Sequence, residues 1–476
     1  MVRFARSLFG ALMLCFISSG FAQSLSPTLK VLFSFPCTVN PQIDCPYGLA
    51  PTRLMESVDG NFYGTTANYG TGLNAQGTVF KMSRSGTVTV LYNFAELPDG
   101  SLPYGSSPER IIEGTDGLLY GTAGFNGPYG VGTIFTLNKT TGAISDLHNF
   151  CMKTLCTDGA YPSDLLQALD GNFYGSTGPS GYPADVLYRV SPSGTFAVLH
   201  TYDSKSQPDG GGAFQPFQAA NGDLYGATVA GGQNTPFNSV FRFNPSSKAY
   251  TILHPFDWPN IAESNLVQAS SGELFGLQTN SILYQISSSG SGYRQVAALS
   301  ATQFSDGGIL QASDGNLWGT FYGGQCAGQG IVFAATTAGH VLHTIVFDCN
   351  VDGQHPISMF QASDGKFYGV TFGYGSASTN SVWNGTIWEL DAGLPPPKPS
   401  IVAFSPTAGG AGTVVLLQGA HFIGTTTVSF NGINASYTVP TSGFIRATVP
   451  AGAKTGKITI TNAGGATTST QSFTVP

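Results

Sequence analysis

Two glutamates stand at matching positions near the N-terminus and could supply a pair of acids. Glu56 and Glu113 each lie four residues before a glycine, Gly60 and Gly117, in similar stretches of sequence. Two neighbouring carboxylates can divide the roles of acid and base or nucleophile in the hydrolysis of a glycosidic bond. One hypothesis is therefore a hydrolase or lyase that acts on carbohydrate through Glu56 and Glu113.

The pattern at this position favours a structural role. Five further stretches carry glutamine there: Gln167, Gln218, Gln268, Gln311 and Gln361. A buried amide on a packed strand must find hydrogen-bond partners, which predicts a ring of side chains bonded to the backbone of neighbouring units. We assign no catalytic residue.

Arginine accompanies glutamate in this pattern. Only the two stretches that carry glutamate have arginine seven residues before the glycine, Arg53 and Arg110. An acid and a base that occur together indicate ion pairs rather than a group prepared for proton transfer. We predict that Glu56 pairs with Arg110 and Glu113 with Arg53.

Histidine and aspartate also recur, in patterns that favour structure over chemistry. His148, His200, His254 and His343 share one repeat position on four different units, so they are not expected to converge on one site. The Asp-Gly steps are typical of turns and lack the alternating spacing of a calcium loop; they begin at Asp99, Asp158, Asp209, Asp306 and Asp352. No phosphate-binding loop, nucleophile elbow or zinc motif occurs. We predict neither a metal nor a cofactor.

These residues are placed by an internal repeat. A six-residue pattern, first seen as Asp59 to Gly64, occurs seven times, and its second residue is the glycine at positions 60, 117, 171, 222, 272, 315 and 365. A period near fifty residues is typical of a β-propeller. Each unit contains four strand-like segments, here a to d from the centre outwards, with a tight turn between a and b. The sequence predicts an all-β fold, a seven-bladed β-propeller over residues 29–391.

The last unit lacks its own strand d. Residues 386–390 run into Pro395-Pro396-Pro397, whereas residues 29–35 match the strand d segment at 88–94. The N-terminal strand is therefore predicted to complete the last blade, which removes two open sheet edges.

The repeat resembles a known family. Tyr63-Gly64-Thr65-Thr66, followed by Gly77-Thr78-Val79-Phe80-Lys81, resembles the GloVer tandem repeat of bacterial exported proteins. The fifth unit departs most, because Gly276-Leu277-Gln278 leads almost directly into Ser281. The resemblance implies the propeller architecture and no defined activity.

A second module follows a proline-rich linker at residues 392–399. Phe404-Ser405-Pro406, Gly419-Ala420-His421-Phe422 and Val449-Pro450-Ala451-Gly452 resemble the IPT/TIG domain. The resemblance implies an immunoglobulin-like β-sandwich over residues 400–476. In bacterial exported proteins such a module serves as a spacer or contact domain.

The N-terminus and the composition predict export. Residues 1–22 combine two arginines, an apolar run and a small residue at the end, the pattern of a signal peptide. No later segment is long and apolar enough to span a membrane. The formal charge of −7 repels phosphate backbones, so nucleic acid is not an expected partner. We predict a secreted or cell-surface protein.

Six cysteines lie beyond the signal peptide. An even number in an exported protein indicates disulfides. Cys37 with Cys45 and Cys151 with Cys156 are close in sequence, which leaves Cys326 with Cys349. Zinc is the alternative, although no histidine joins these pairs at ligand spacing.

The loops indicate where a ligand would bind. Strand order places the tight a–b and c–d turns on one face and the long, varied b–c and d–a loops on the other. The long loops carry seven aromatic residues that could stack on sugars or anchor a protein, or pack the loops together: Tyr69, Tyr104, Phe125, Tyr129, Tyr182, Phe237 and Tyr374. Function tends to lie on varied loops held by a rigid scaffold. We therefore predict a non-enzymatic protein that binds an extracellular ligand, a polysaccharide or a protein; a purely structural surface protein is a further hypothesis.

Overall fold

The computed structural model describes residues 26–38, 44–72, 74–178, 185–202, 210–228, 238–256, 262, 264–299, 308–321, 330–373 and 384–476. Secondary structure in these ranges consists of strands and two short 3-10 turns, Thr154–Cys156 and Thr279–Ser281. Within them, no helix has the length and apolarity needed to cross a membrane. The predicted signal peptide lies outside the described residues.

Each repeat forms one four-stranded antiparallel sheet, with its strands side by side in sequence order. Sheet one contains Leu49–Glu56, Phe62–Asn68, Thr78–Met82 and Val88–Asn93 (β2–β5). Sheet two contains Ser106–Glu113, Leu119–Phe125, Thr133–Leu137 and Ile144–Asn149 (β6–β9). Sheet three contains Leu166–Gln167, Phe173–Ser176, Asp185–Val190 and Phe196–Tyr202 (β10–β13). Sheet four contains Ala213–Gln218, Leu224–Thr228, Asn238–Asn244 and Ala249–Phe256 (β14–β17).

The remaining repeats follow the same plan. Sheet five contains Val267–Gln268, Leu274–Gln278, Ile282–Ile286 and Arg294–Ala298 (β18–β21), and a 3-10 turn replaces its b–c loop. Sheet six contains Ile309–Gln311, Leu317–Phe321, Ile331–Ala335 and Val341–Val346 (β22–β25). Sheet seven contains Gln354–Gln361, Phe367–Gly373 and Thr386–Asp391 (β26–β28). The a strands of several neighbouring sheets contact each other, including those of sheets seven and one, which gives a propeller-like arrangement.

The N-terminal strand completes sheet seven, as predicted. Thr28–Ser34 (β1) pairs antiparallel with β28, with Leu29 opposite Leu390 and Ser34 opposite Thr386. The outer strand of sheet seven therefore comes from the opposite end of the repeat region.

The repeated six residues encode the a–b turn and the start of strand b. Gly60 has a φ of 81°, which favours glycine in the tight turn. Asp59 accepts hydrogen bonds from the Asn61 amide at 3.1 Å and from the Tyr63 hydroxyl at 2.7 Å. A Cβ on Gly64 would lie 2.4 Å from the ring of Phe80, so glycine makes room for the strand c aromatic. One short motif thus fixes turn, strand and core packing together.

The glycine before strand c sets the approach between sheets. A Cβ on Gly77 would lie 2.5 Å from Pro108 of sheet two, and the same relation joins Gly132 to Pro162, Gly330 to Pro356 and Gly385 to Pro51. The last of these contacts joins sheet seven to sheet one.

The C-terminal region forms two further four-stranded sheets around a separate core. One sheet contains Ser400–Ser405, Val414–Ala420, Phe444–Thr448 and Ser436–Thr441 (β29, β30, β34 and β33). The other contains Ile433–Asn434, Thr427–Phe430, Gly456–Asn462 and Gly465–Phe473 (β32, β31, β35 and β36). Val415, Leu417, Phe430 and Ile458 are among the residues buried between them.

Candidate functional site

The residues four before each turn glycine form an interlocked ring, and we call this place the ring position. Gln167 donates from Nε2 to the carbonyl oxygen of its own turn glycine, Gly171, at 3.2 Å. Its Oε1 accepts from the backbone amide of Thr115 in the preceding sheet at 3.0 Å. Gln218, Gln311 and Gln361 make both bonds in the same way. Gln268 makes the bond to its own turn glycine, Gly272, at 3.1 Å. The structural hypothesis is confirmed for the four glutamines that make both bonds.

Glutamate at the ring position keeps only the accepting half of this pattern. Glu56 accepts from the backbone amide of Ser363 at 2.8 Å, and Glu113 accepts from that of Val58 at 3.5 Å. A carboxylate has no hydrogen to donate to the turn glycine. A cation from a c–d turn stands beside each acid instead: Arg84 pairs with Glu56 and Lys139 with Glu113.

The predicted pairs Glu56–Arg110 and Glu113–Arg53 are therefore wrong. Successive side chains of a strand point to opposite faces, so residues three apart, such as Arg53 and Glu56, point away from each other. The ring position faces the neighbouring sheet, whereas the arginines lie on the opposite face of strand a. Arg110 pairs with Asp164 at 3.2 Å.

The correct cations left a signal in the sequence. Arg84 and Lys139 follow the first residue of their c–d turns, and only the two repeats with glutamate carry a base there. Arg84 and Lys139 thus accompany glutamate as regularly as Arg53 and Arg110 do.

The face of strand a opposite the ring position carries an apolar residue and, in the first three repeats, a charged residue. One residue before the ring position lies a half-buried apolar side chain in every repeat, here called the apolar collar: Met55, Ile112, Leu166, Phe217, Val267, Leu310 and Phe360. Two residues further from the turn stand Arg53, Arg110 and Asp164 in the first three repeats.

Four charged groups, Arg53, Arg110, Asp164 and Glu109, interact on this face of the a strands. Burial, followed by the nearby Arg110 charge, lowers the pKa of Arg53 to about 10. Burial and the Asp164 charge raise the pKa of Glu109 to about 7, against the opposing effect of Arg53. Glu109 lies at a β-bulge between Pro108 and Arg110, where the strand pairing shifts by one residue. The sequence pattern did not single it out.

The C-terminal domain lies against the tight-turn face of the repeats. Arg446 donates to the backbone oxygen of Thr115 at 3.1 Å, and Ser313 donates to that of Pro395 in the linker at 2.8 Å. A cavity of about 490 Å³ lies between the two regions. Strand a residues of sheets one, two, three and seven line one side, and Gln418, His421 and Phe444 lie on the other.

The opposite, long-loop face carries exposed aromatic side chains. Tyr69, Phe125 and Tyr129 are 39%, 50% and 52% exposed. Phe125 packs on Tyr161 with ring centroids 5.2 Å apart. Tyr104 is half-buried and lies against Tyr92, so it serves packing as well. Tyr182, Phe237 and Tyr374 lie outside the described residues.

The strand d histidines join neighbouring sheets. The rings of His148, His200 and His254 stack at 3.7–3.8 Å on an aromatic ring of the next sheet: Phe196, Tyr250 and Tyr293. His343 instead lies 5.9 Å from Trp318 of its own sheet. Burial lowers the pKa of His148 to about 4, so its imidazole is neutral at physiological pH. These contacts support the structural interpretation.

The Asp-Gly steps between strand d and the next strand a act in turns. Asp99 accepts from the Ser101 amide at 3.0 Å, Asp158 from the Met152 amide at 3.1 Å and Asp352 from the Asp348 amide at 2.9 Å. Asp209 and Asp306 lie outside the described residues. Over the described ranges, no three histidine, cysteine or acidic side chains are grouped as metal ligands.

Two of the three predicted disulfides are present. Cys37 is bonded to Cys45, and Cys151 to Cys156. Cys349 is also disulfide-bonded, and Cys326 lies outside the described residues, so their pairing stays a prediction.

Comparison with known families agrees with both resemblances. Residues 50–282 match the Gloeobacter/Verrucomicrobia repeat, the GloVer repeat of the sequence analysis, and residues 399–475 match the IPT/TIG domain. The chain is thus a tandem-repeat protein of propeller-like architecture. It carries the Gloeobacter/Verrucomicrobia repeat followed by an IPT/TIG domain. No curated protein shows significant sequence similarity to it.

Solved structures with a similar fold include bacterial extracellular domains. One is the extracellular domain of BT3049, a putative hybrid two-component system of B. thetaiotaomicron, which is 12% identical with a TM-score of 0.50. The match covers 90% of this chain and 52% of the BT3049 chain. PorZ, a surface component of the type-IX secretion system of Porphyromonas gingivalis, is 12% identical with a TM-score of 0.50. That match covers 91% of this chain and 60% of the PorZ chain. The chain therefore spans about half to three fifths of those two proteins. These likenesses concern the fold alone.

A gluconolactonase from Xanthomonas campestris is also similar, with 12% identity, a TM-score of 0.42 and coverage of 78% of this chain and 89% of its own. That similarity is too low to support a shared activity.

Proposed function

We propose that this chain is an exported, non-enzymatic binding protein that holds an extracellular ligand on the long-loop face of a seven-bladed propeller closed by its N-terminal strand. The placement of the C-terminal domain is the observation that carries this proposal. That domain lies on the tight-turn face, where Arg446 contacts Thr115. The long loops are left as the face open to a large ligand.

The loops of the first two repeats form the proposed contact surface. Asn126 of repeat two donates to Gln76 of repeat one at 3.4 Å, so these loops lie side by side. The exposed Tyr69, Phe125 and Tyr129 belong to the same two loops. Aromatic rings on a supported surface can stack on sugar rings or fill pockets in a protein partner.

Tyr69 has a backbone conformation that favours a functional role over a packing role. Its φ is +58°, a region that bulky residues rarely adopt. Asn126 stands at the same position of repeat two with a φ of +56°, and asparagine tolerates this conformation well. A tyrosine retained where asparagine fits better is consistent with selection for its side chain.

Substitution of Tyr69 by asparagine separates binding from folding. We expect Tyr69→Asn, combined with Phe125→Ala and Tyr129→Ala, to abolish binding to a polysaccharide and protein-ligand panel. The melting temperature should stay within a few degrees of the wild-type value, because all three side chains are exposed. Val341→Ala, at an exposed outer-strand residue, is the matched control and should bind normally.

Retained binding by the triple variant would exclude the long-loop face of repeats one and two. A wild-type chain that binds no member of the panel would favour the purely structural hypothesis. Release of sugar products would favour the hydrolase or lyase hypothesis. Glu56 and Glu113 lend that hypothesis little support, because each already accepts a backbone hydrogen bond and pairs with a cation.

Export is part of the same proposal. The signal-peptide pattern of residues 1–22, the two disulfides and the extracellular setting of similar folds support it. The divisions at residues 29–391, 392–399 and 400–476 are proposed as repeat region, linker and C-terminal domain.

A further inference from the structure

We propose that the cavity between the repeat region and the C-terminal domain binds a small organic monocarboxylate with an apolar body, and that Arg53 is the residue that receives the carboxylate. This site lies at the opposite end of the repeats from the long-loop face, so it is independent of the function proposed above.

Arg53 supplies a cation without a direct ion pair, although the charges of Asp164 and Glu109 act on it from nearby. Its guanidinium makes no hydrogen bond or ion pair with any residue that the structure describes. Arg53 is half-buried and lies among the residues that line the cavity. A half-buried guanidinium without a direct ion pair can receive a further anion, and its planar donors match a carboxylate in a bidentate arrangement.

The neighbouring charges leave one positive charge to neutralise. Arg110 is paired with Asp164, Arg84 with Glu56 and Lys139 with Glu113. Glu109 remains, and its pKa of about 7 leaves it largely protonated below neutral pH. His421, on the far wall, has a pKa lowered to about 4 by burial and is neutral. One negative charge on the ligand neutralises the remaining positive charge of Arg53, whereas a dianion would leave the cavity with a net negative charge.

The walls of the cavity indicate the rest of the ligand. Met55, Ile112, Leu166 and Phe360 of the apolar collar lie on the propeller side, and Phe444 lies on the other. Ligand sites usually combine such apolar walls with a few polar groups that fix orientation. Gln418 provides one, because its buried Oε1 accepts no hydrogen bond within the described part of the chain. The volume of about 490 Å³ is within the range of sites for small organic molecules.

Titration calorimetry of the full mature chain with phenylacetate tests the proposal, with phenylacetamide as an uncharged probe of the same size. We expect phenylacetate to bind and phenylacetamide to bind at least about tenfold more weakly, because it lacks the charge-assisted bonds. Arg53→Gln should weaken phenylacetate by a similar factor. Arg294→Gln, which removes an exposed cation in sheet five, should leave binding unchanged.

Ala420→Leu provides a test that leaves the charge of Arg53 in place. Ala420 lines the cavity from the C-terminal domain, so a larger side chain there should block phenylacetate while the melting temperature stays close to wild type. Equal binding of the two probes, unchanged binding by Arg53→Gln or Ala420→Leu, or no binding by the folded wild-type chain would each overturn the proposal. Tyr69→Asn should not alter phenylacetate binding. The proposal for the cavity and the proposal for the long-loop face can therefore be rejected independently of each other.

Discussion

At the residue scale, the ring position shows how one place in a repeat accommodates two chemistries. With one side-chain amide, glutamine donates a hydrogen bond to its turn glycine and accepts one from the neighbouring sheet. Glutamate keeps the second contact and needs a cation, which Lys139 gives to Glu113. The side chain of Glu113 is only 2% exposed in that pair, so its charge is almost fully removed from water.

This substitution pattern gives a rescue experiment. Lys139→Met should destabilise the chain by about 3 kcal/mol or more, because it leaves the buried Glu113 carboxylate without its cation. Adding Glu113→Gln should restore most of the loss, since a glutamine can donate to Gly117 as Gln167 does to Gly171. Chemical denaturation of both variants measures the effect. A double variant no more stable than Lys139→Met would contradict the interchange.

Glu109 gives the chain a pH dependence of a defined sign. Its pKa rises from 4.5 unfolded to about 7 folded, so the native state binds more protons than the unfolded state between these values. The free energy of unfolding should therefore fall as pH rises from 4.5 to 7, by at most about 3 kcal/mol from this group.

Glu109→Gln should remove that part of the decline and be more stable than wild type at pH 8. Thermal unfolding from pH 5 to pH 8 measures the difference between the two chains. Glu273→Gln, in the a–b turn of repeat five, controls for the loss of one carboxylate. Parallel pH curves for wild type and Glu109→Gln would exclude the raised pKa.

At the scale of the elements, the N-terminal strand β1 has the largest role for its length. Leu29, Leu32 and Phe33 are half-buried apolar side chains that pack against the cores beside sheet seven, and full burial of such a side chain is worth about 1.5–3 kcal/mol. Deletion of Thr28–Ser34 should therefore cost about 5 kcal/mol or more and leave β28 as an open edge that promotes aggregation.

Size-exclusion chromatography and thermal unfolding of the deletion variant measure both effects. Lys30→Ala, at an exposed residue of the same strand, should behave like wild type. A soluble deletion variant with the wild-type melting temperature would show that β28 does not depend on β1.

The elements also show what the sequence could predict. Strand order, the a–b turns and the pairing of β1 follow from short patterns that recur, such as the match between residues 29–35 and 88–94. The partner of Glu56 could not be inferred from its neighbour Arg53, because the two side chains point to opposite faces of the strand. Glu109 could not be predicted as a member of the charged cluster, because it lies at a β-bulge and a bulge interrupts the regular alternation of the strand.

At the scale of the whole molecule, the position of the C-terminal domain distinguishes the two faces of the repeat region. The sequence distinguished a tight-turn face from a long-loop face but contained no periodic signal for where the second module would lie. The contacts of Arg446 and Ser313 place it on the tight-turn side. The two proposed sites differ in character accordingly: exposed aromatic side chains lie on the far side, and a small cavity lies beneath the domain.

The pairing of β1 with β28 also bears on the order of events during synthesis. Thr28 is synthesised long before Asp391 and must wait for it before its sheet is whole. Sheets one to six can form as each repeat emerges, whereas the seventh needs both ends of the repeat region. A chain cut short by failed translation or by a protease before residue 386 keeps an unpaired strand at its beginning. Such fragments expose an unpaired strand that promotes aggregation and that quality-control proteases can recognise. A chain that extends through Asp391 pairs β1 with β28 and so has neither edge exposed.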